Sequence, residues 1–271
     1  MAHVHVYSGE NQALVHPEIR KIGLLDVLES LRRGLADFRE KPSHYLFIGL
    51  LYPVAGLIIA VWSAGANLLP LIFPLASGFA ILGPVAAIGL YEMSRRRELG
   101  LETSWRHALD VRHSPALFSI IAAAAVLAVL FFGWLKSAEL IYSLHFGEAP
   151  PATIGPFLTD VLTTSTGWSM MFWGNLVGLV FAVLALAVSV VTFPLLLERD
   201  IGAVSAMAAS VRATLKNPVP VFAWGLVVAI LLVIGSIPML AGLALVLPIL
   251  GHATWHLYRR LIAPEDRRRH H

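Results

Sequence analysis

Six stretches of the chain, 45–62, 68–91, 116–135, 168–197, 219–236 and 239–258, are apolar almost throughout. About 20 such residues are what a helix needs to cross the hydrocarbon core of a bilayer. The first and second are joined only by Ser63-Ala64-Gly65-Ala66-Asn67, the fifth and sixth by little more than Ile237-Pro238. Links this short, with Gly or Pro at the turn, predict tight helical hairpins. The fourth stretch is long enough that it must tilt, project beyond the bilayer, or break near Pro194. The pattern therefore predicts an all-α polytopic membrane protein with six transmembrane helices arranged as three hairpins. Between the third and fourth spans, Glu148-Ala149-Pro150-Pro151 and Gly155-Pro156 disfavour regular structure. A short amphipathic helix around 157–164 is expected on the outer surface.

A second periodicity lies in the polar segments. Leu24, Leu28, Leu31, Leu35 and Phe38 recur at spacings of four, three, four and three, one apolar face at helical period. Val204, Met207, Val211 and Leu215 repeat that stripe, and a shorter segment after Thr103-Ser104 carries Trp105, Ala108 and Leu109. Each segment ends at a proline (Pro42, Pro115, Pro218) that opens a hairpin. Arg33 and Arg106 stand nine residues before theirs, Arg39 and Arg112 three before. The outgoing helices also correspond: GPVAAIGLYEMSRR at 83–96 aligns without gaps on LPILGHATWHLYRR at 247–260, pairing Pro84 with Pro248 and Arg95-Arg96 with Arg259-Arg260. Pro194 marks the same place in the middle unit. The reading is a pseudo-threefold repeat, with each hairpin preceded by a cytoplasmic amphipathic helix. Its units fall at about 23–96, 101–199 and 202–260, within a single membrane domain over 23–262. A polar segment, 1–22, precedes that domain and a basic tail, 263–271, follows it. Prolines inside the outgoing helices predict kinks turned toward neighbouring helices.

Charge gives this pattern an orientation. Nineteen of the twenty Lys and Arg residues fall on one side of the six-span threading, and only Lys136 falls on the other. Lys and Arg in short loops mark the cytoplasmic side, so both termini are expected there. Composition agrees with a membrane protein: 57% of residues are hydrophobic and 14% charged, where soluble domains carry about 25%. The net charge of +3 clusters at span ends, which points to anionic lipid headgroups and away from nucleic acid. No cleavable signal is expected, since the first apolar run starts near residue 45. Trp62, Trp134, Trp168, Trp173, Trp255, Tyr45, Tyr91 and Tyr258 lie near span ends, where such rings anchor at headgroup level. With no cysteine there is no disulfide, thiolate ligand or thiol nucleophile.

Candidate chemistry is sparse. No Asp, Glu, Lys or Arg occupies the middle of a span, which argues against a carboxylate proton relay or an ion pump. The repeat register does bring Glu92, Glu198, His252 and His256 to comparable places after the kink prolines, with the two histidines on one helical face. Such a set suits a divalent metal such as zinc, manganese or iron. The alternative is carboxylates paired with neighbouring arginines and histidines at a wet interface, with no cofactor. The basic positions Arg33, Arg39, Arg95, Arg96, Arg106, Arg112, Arg259 and Arg260 are candidates for binding anionic lipid. Gly174, Asn175 and Gly178 read as a helix-packing site, within the chain or between copies. His3, His5 and His16 form a loose polar group in the N-terminal segment. No phosphate loop, nucleophile elbow or HExxH motif is present.

GPVAAIGLYEMSRRRELG, followed by Ser104-Trp105, and the later GHATWHLYRRL resemble a family of uncharacterised bacterial integral membrane proteins, known mainly from alphaproteobacteria. The likeness extends over most of residues 20–262. The resemblance implies a bacterial inner membrane location and brings no established activity or catalytic residues. Some members carry a label linking them to cytochrome c oxidase, and the buried histidines of a haem–copper core are not found here. The leading reading is a non-enzymatic accessory or scaffold component that engages anionic lipid or the helices of other membrane subunits. A small-solute permease or channel, and a metal-dependent membrane enzyme using Glu92, Glu198, His252 and His256, are the alternatives.

Overall fold

A computed structural model of the protein describes residues 17–40, 53, 56–57, 59, 69–151, 153–238 and 240–264. The expected first span, Pro42, the N-terminal histidines and the Arg-rich tail lie outside the described residues, apart from four isolated positions in that span. Among the described residues the structure is helical, with one isolated antiparallel bridge between Ile19 and Ile262. The helices are α1 (Leu24–Glu40), α2 (Ile72–Ala86), α3 (Ile88–Glu98), α4 (Leu117–Phe146), α5 (Ile154–Thr163), α6 (Ser165–Ser189), α7 (Thr192–Glu198), α8 (Ala203–Lys216), α9 (Pro218–Ser236) and α10 (Leu243–Leu261). A 3-10 helix covers Trp105–His113.

Four helical stretches are long and apolar enough to cross a membrane: Leu69–Glu98, Leu117–Phe146, Ser165–Glu198 and Pro218–Ser236. These correspond to the second, third, fourth and fifth expected spans. The sixth is helical as α10, but His252, His256, Arg259 and Arg260 dilute its apolar character, and it is not among the four. α2, α4 and α6 pack as one group, and α1 lies along α10 beside α3 as another. The short helix α5, between α4 and α6, carries exposed Ile154, Leu158 and Leu162. Thr164 caps α6 by accepting the Gly167 N–H at 3.0 Å. Gly147 ends α4 at φ +84°, a conformation that glycine adopts without steric cost.

The kinks are less uniform than the repeat suggests. α2 gives way to α3 at Ala87, just past Pro84. Pro194 follows a break at Val190–Val191, whereas Pro248 sits inside an unbroken α10. At the middle break, Ser210 on α8 accepts the Val191 N–H at 3.4 Å and the Thr192 hydroxyl bonds back to Val188 at 2.5 Å. Neighbouring hydroxyls thus cover backbone groups that the break frees.

The apolar stripes of α1 and α8 divide between protein and surroundings. α1 buries Val27, Ser30, Gly34 and Asp37, while Leu24, Leu25 and Leu28 are 56%, 82% and 62% exposed. α8 buries Ala206, Ala209, Ser210, Ala213 and Thr214 and exposes Val204 and Leu215. In both, small and hydroxyl-bearing residues meet protein and Leu24, Leu28, Val204 and Leu215 look outward, while Leu31, Phe38 and Met207 pack partly against the core. A β-carbon added at Gly34 would lie 2.5 Å from the Ala253 backbone nitrogen, so α1 and α10 meet almost backbone to backbone.

The aromatic anchors divide. Trp168 and Trp173 are exposed, but Trp134, Trp255, Tyr91 and Tyr258 are buried in protein. The buried indoles have found partners there: Trp134 Nε1 donates to the Pro74 carbonyl at 2.9 Å and Trp255 Nε1 to Glu98 at 3.0 Å.

The ends of the described chain are fastened together. Arg20 N donates to Leu261 O at 2.8 Å and Ala263 N to Glu18 O at 2.9 Å. The buried Asn217 accepts from Ile22 N at 2.8 Å and donates to Arg20 O at 3.0 Å. Gly34→Ala is expected to push α1 off α10 and lower thermal stability by about 1–3 kcal/mol. Limited trypsin digestion at Arg32–Arg33, faster in the variant, checks it.

Candidate functional site: a polar clasp joining three helices

Asp37 is the centre of the site. It stands one helical turn beyond Gly34, whose missing side chain brings α1 close enough for the carboxylate to reach α3 and α10. Asp37 Oδ2 accepts from the Ser94 hydroxyl at 3.0 Å and lies 2.9 Å from His256 Nε2. Oδ1 accepts from Arg97 at 2.9 Å, and the same guanidinium pairs with Glu40. Ser94 Oγ also lies 2.6 Å from His252 Nδ1. A hydroxyl has one proton to give, and facing a carboxylate it gives it there. His252 then donates Nδ1–H to Ser94 Oγ.

These groups are inside the protein: His252 is 0% and Ser94 2% exposed. Burial pushes the Asp37 carboxyl up, but the hydrogen bond from His256 and the facing positive charges outweigh it. The result is a value below the ordinary 3.8. A serine, a histidine and an aspartate in mutual contact superficially suggest nucleophilic catalysis. Here the hydroxyl donates to the carboxylate and is closed off from solvent, so the arrangement fastens α1, α3 and α10 and offers no open nucleophile.

A second network sits beside it. Arg259 donates to Glu98 at 2.5–3.0 Å and to Glu198 Oε1 at 2.7 Å, and its guanidinium lies 5.7 Å from the Trp255 ring centre. Tyr258 donates to the other oxygen of Glu198. One arginine thereby ties α3, α7 and α10. Glu92 is held within α3 by Arg95 at 2.7 Å, and Arg96 bridges to Asp110 at 3.5 Å and donates to the Glu102 carbonyl at 3.0 Å.

The four residues considered for a metal are thus divided. Glu92 faces Arg95, Glu198 faces Tyr258 and Arg259, and the two histidines turn to Ser94 and Asp37. Among the described residues no group of three or more His, Asp or Glu is disposed to hold a metal ion. Charge pairing occupies the carboxylates: arginine and tyrosine side chains hold Glu92 and Glu198. Of the eight basic positions, Arg33 pairs with Glu29 at 2.9 Å and Arg260 with Asp26 at 3.4 Å, while Arg95, Arg96 and Arg259 are engaged as above. Arg39, Arg106 and Arg112 lie on the surface. On α6, Gly178 faces Trp134, where an added β-carbon would come within 3.1 Å, whereas Gly174 faces open space and Asn175 is exposed.

Asp37, Ser94 and Glu98 did not emerge from the sequence as site residues. A signal was there for one of them: Ser30, Gly34 and Asp37 recur at four and three, a second face beside the leucine stripe.

Residues 72–198, from α2 through α7, match the family described as "Predicted integral membrane protein (DUF2189)". Over that region the chain is similar to an integral membrane family of unknown function, and it carries several apolar helices. No curated protein and no solved structure matches it.

Asp37→Ala strands the Ser94, His256 and Arg97 donors and should lower stability by about 3 kcal/mol. Because the folded carboxyl titrates below 3.8, its contribution is complete above that pH and is lost as pH falls through the lower folded value. Thermal melts from about pH 5 down to about pH 2 should show an acid limb in the native protein that is shallower in the variant.

Proposed function

We propose that this protein is a non-catalytic accessory or scaffold component of a bacterial inner membrane, held to anionic lipid by its cytoplasmic face. In this reading six spans form three related hairpins with both termini cytoplasmic. The observation that carries the proposal is the orientation of α1. Its small and polar face is committed to α10 and α3, and this leaves Leu24, Leu25 and Leu28 outside beside Arg32, Arg33 and Arg39. A helix with outward leucines flanked by arginines suits the boundary between acyl chains and headgroups. Arg32, Arg33 and Arg39 also line an open hollow of about 590 Å³ together with Leu35, Ala36 and Glu40. That combination offers cations to a phosphate and apolar surface to the chain below it. The clasp around Asp37 supports the same reading, since its ionisable groups hold helices together in closed networks.

The test is lipid retention by the purified full chain in mild detergent, read by native mass spectrometry. Each basic residue near an anionic surface contributes about 1 kcal/mol. Arg33→Glu with Arg39→Glu should therefore reduce retained phosphatidylglycerol at least tenfold, with phosphatidylcholine little changed. Equal loss of both lipids, or no loss, contradicts the reading.

A further inference from the structure

We infer that the outer half of α6 is a docking face for a second copy of this chain, packed in parallel through Trp168, Phe172, Asn175, Leu179 and Ala182. These residues recur at spacings of four, three, four and three, the seam of a left-handed helix pair. All five are exposed, with Trp168 at 62%, Phe172 at 63% and Leu179 at 60%. A different face of the same helix, through Gly167, Gly178 and Ala185, packs within the chain. Among the described residues, the seam is therefore turned away from the face that packs within the chain.

Asn175 distinguishes this face from one that meets only lipid. It lies seven residues past Trp168, about 10 Å along the helix axis, inside an apolar span. Lipid gains nothing from a carboxamide, and the amide gains nothing from lipid. Its Nδ2 donates one hydrogen to the Met171 carbonyl at 2.8 Å. Among the described residues no other hydrogen bond to the group is formed, so one N–H and Oδ1 remain on the outward face. One donor and one acceptor on the same group make it complementary to itself.

Symmetry does the rest. Two copies inserted in the same sense can be related by a twofold axis along the membrane normal, which places the α6 helices parallel and like residues opposite like. Asn175 of each copy then donates to the Oδ1 of the other, and the flanking Phe172 and Leu179 pack around that pair. Interhelical amides in membranes strengthen association by a modest amount. The proposal rests on α6 alone and is independent of the lipid role of α1.

The chain contains no cysteine, so single-cysteine variants report proximity without background. In proteoliposomes of the full chain, oxidation of Phe172→Cys or Leu179→Cys should give a disulfide-linked dimer at least several-fold faster than Leu184→Cys, which is exposed but off the seam. Adding Asn175→Leu to Leu179→Cys should weaken dimerisation about threefold to twentyfold, and Asn175→Gln should restore most of it. Equal rates on and off the seam overturn the proposal, as does dimerisation indifferent to Asn175→Leu. If Asn175→Leu does not fold, the contrast between positions decides the matter with the native amide in place.

Discussion

Where the surroundings of a helix are as apolar as its own leucines, burying leucine against a neighbour gains little. Helices then associate where backbones can come close and where polar groups can be paired. The contact between α1 and α10, neither of them among the four long apolar helices, is built in the same way. Gly34 lets the two backbones meet at Ala253, and the closeness carries Asp37 to Ser94, His256 and Arg97. Each half needs the other. Without the close approach the carboxylate could not reach its donors, and without the donors a buried charge there would be costly.

The same rule organises the elements around that contact. α8 turns Ala206, Ala209, Ser210, Ala213 and Thr214 to the bundle and leaves Val204 and Leu215 outside. Ser210 then stands where the backbone breaks before Pro194, so one small face provides both packing and hydrogen bonding. At the ends of the described chain, Asn217 holds the segment before α1 to the start of α9, and Ile19 pairs with Ile262. The segment before α1 is thus held both to the start of α9 and to the end of α10. Arg259 performs the analogous service for α3, α7 and α10 by sharing two carboxylates.

Apolar length was the legible part of this protein. Continuous hydrophobic runs at 68–91, 116–135, 168–197 and 219–236 foretold the four long apolar helices because spanning is a property of a single segment. The leucine stripe of α1 was equally plain, but its meaning was not. Amphipathic periodicity says which residues share a face and does not say whether protein or lipid covers it. The polar site was harder still, since it depends on which segments meet. Glu92, Glu198, His252 and His256 were found through the spacing of the repeat. Spacing could not show that Arg95, Arg259 and Tyr258 would claim the carboxylates, nor that Asp37, more than 200 residues away, would claim His256. The tryptophans illustrate the same limit: Trp134 and Trp168 both sit near span ends, yet one is buried against Pro74 and the other exposed.

Spin labels on α1 in a lipid bilayer address the central claim most directly. With labels attached through single cysteines at Leu28 and at Ser30, the account predicts a mobile Leu28 label relaxed by lipid-soluble oxygen, and an immobilised Ser30 label shielded from both oxygen and aqueous nickel. A shielded, immobile label at Leu28 beside an accessible one at Ser30 would contradict it.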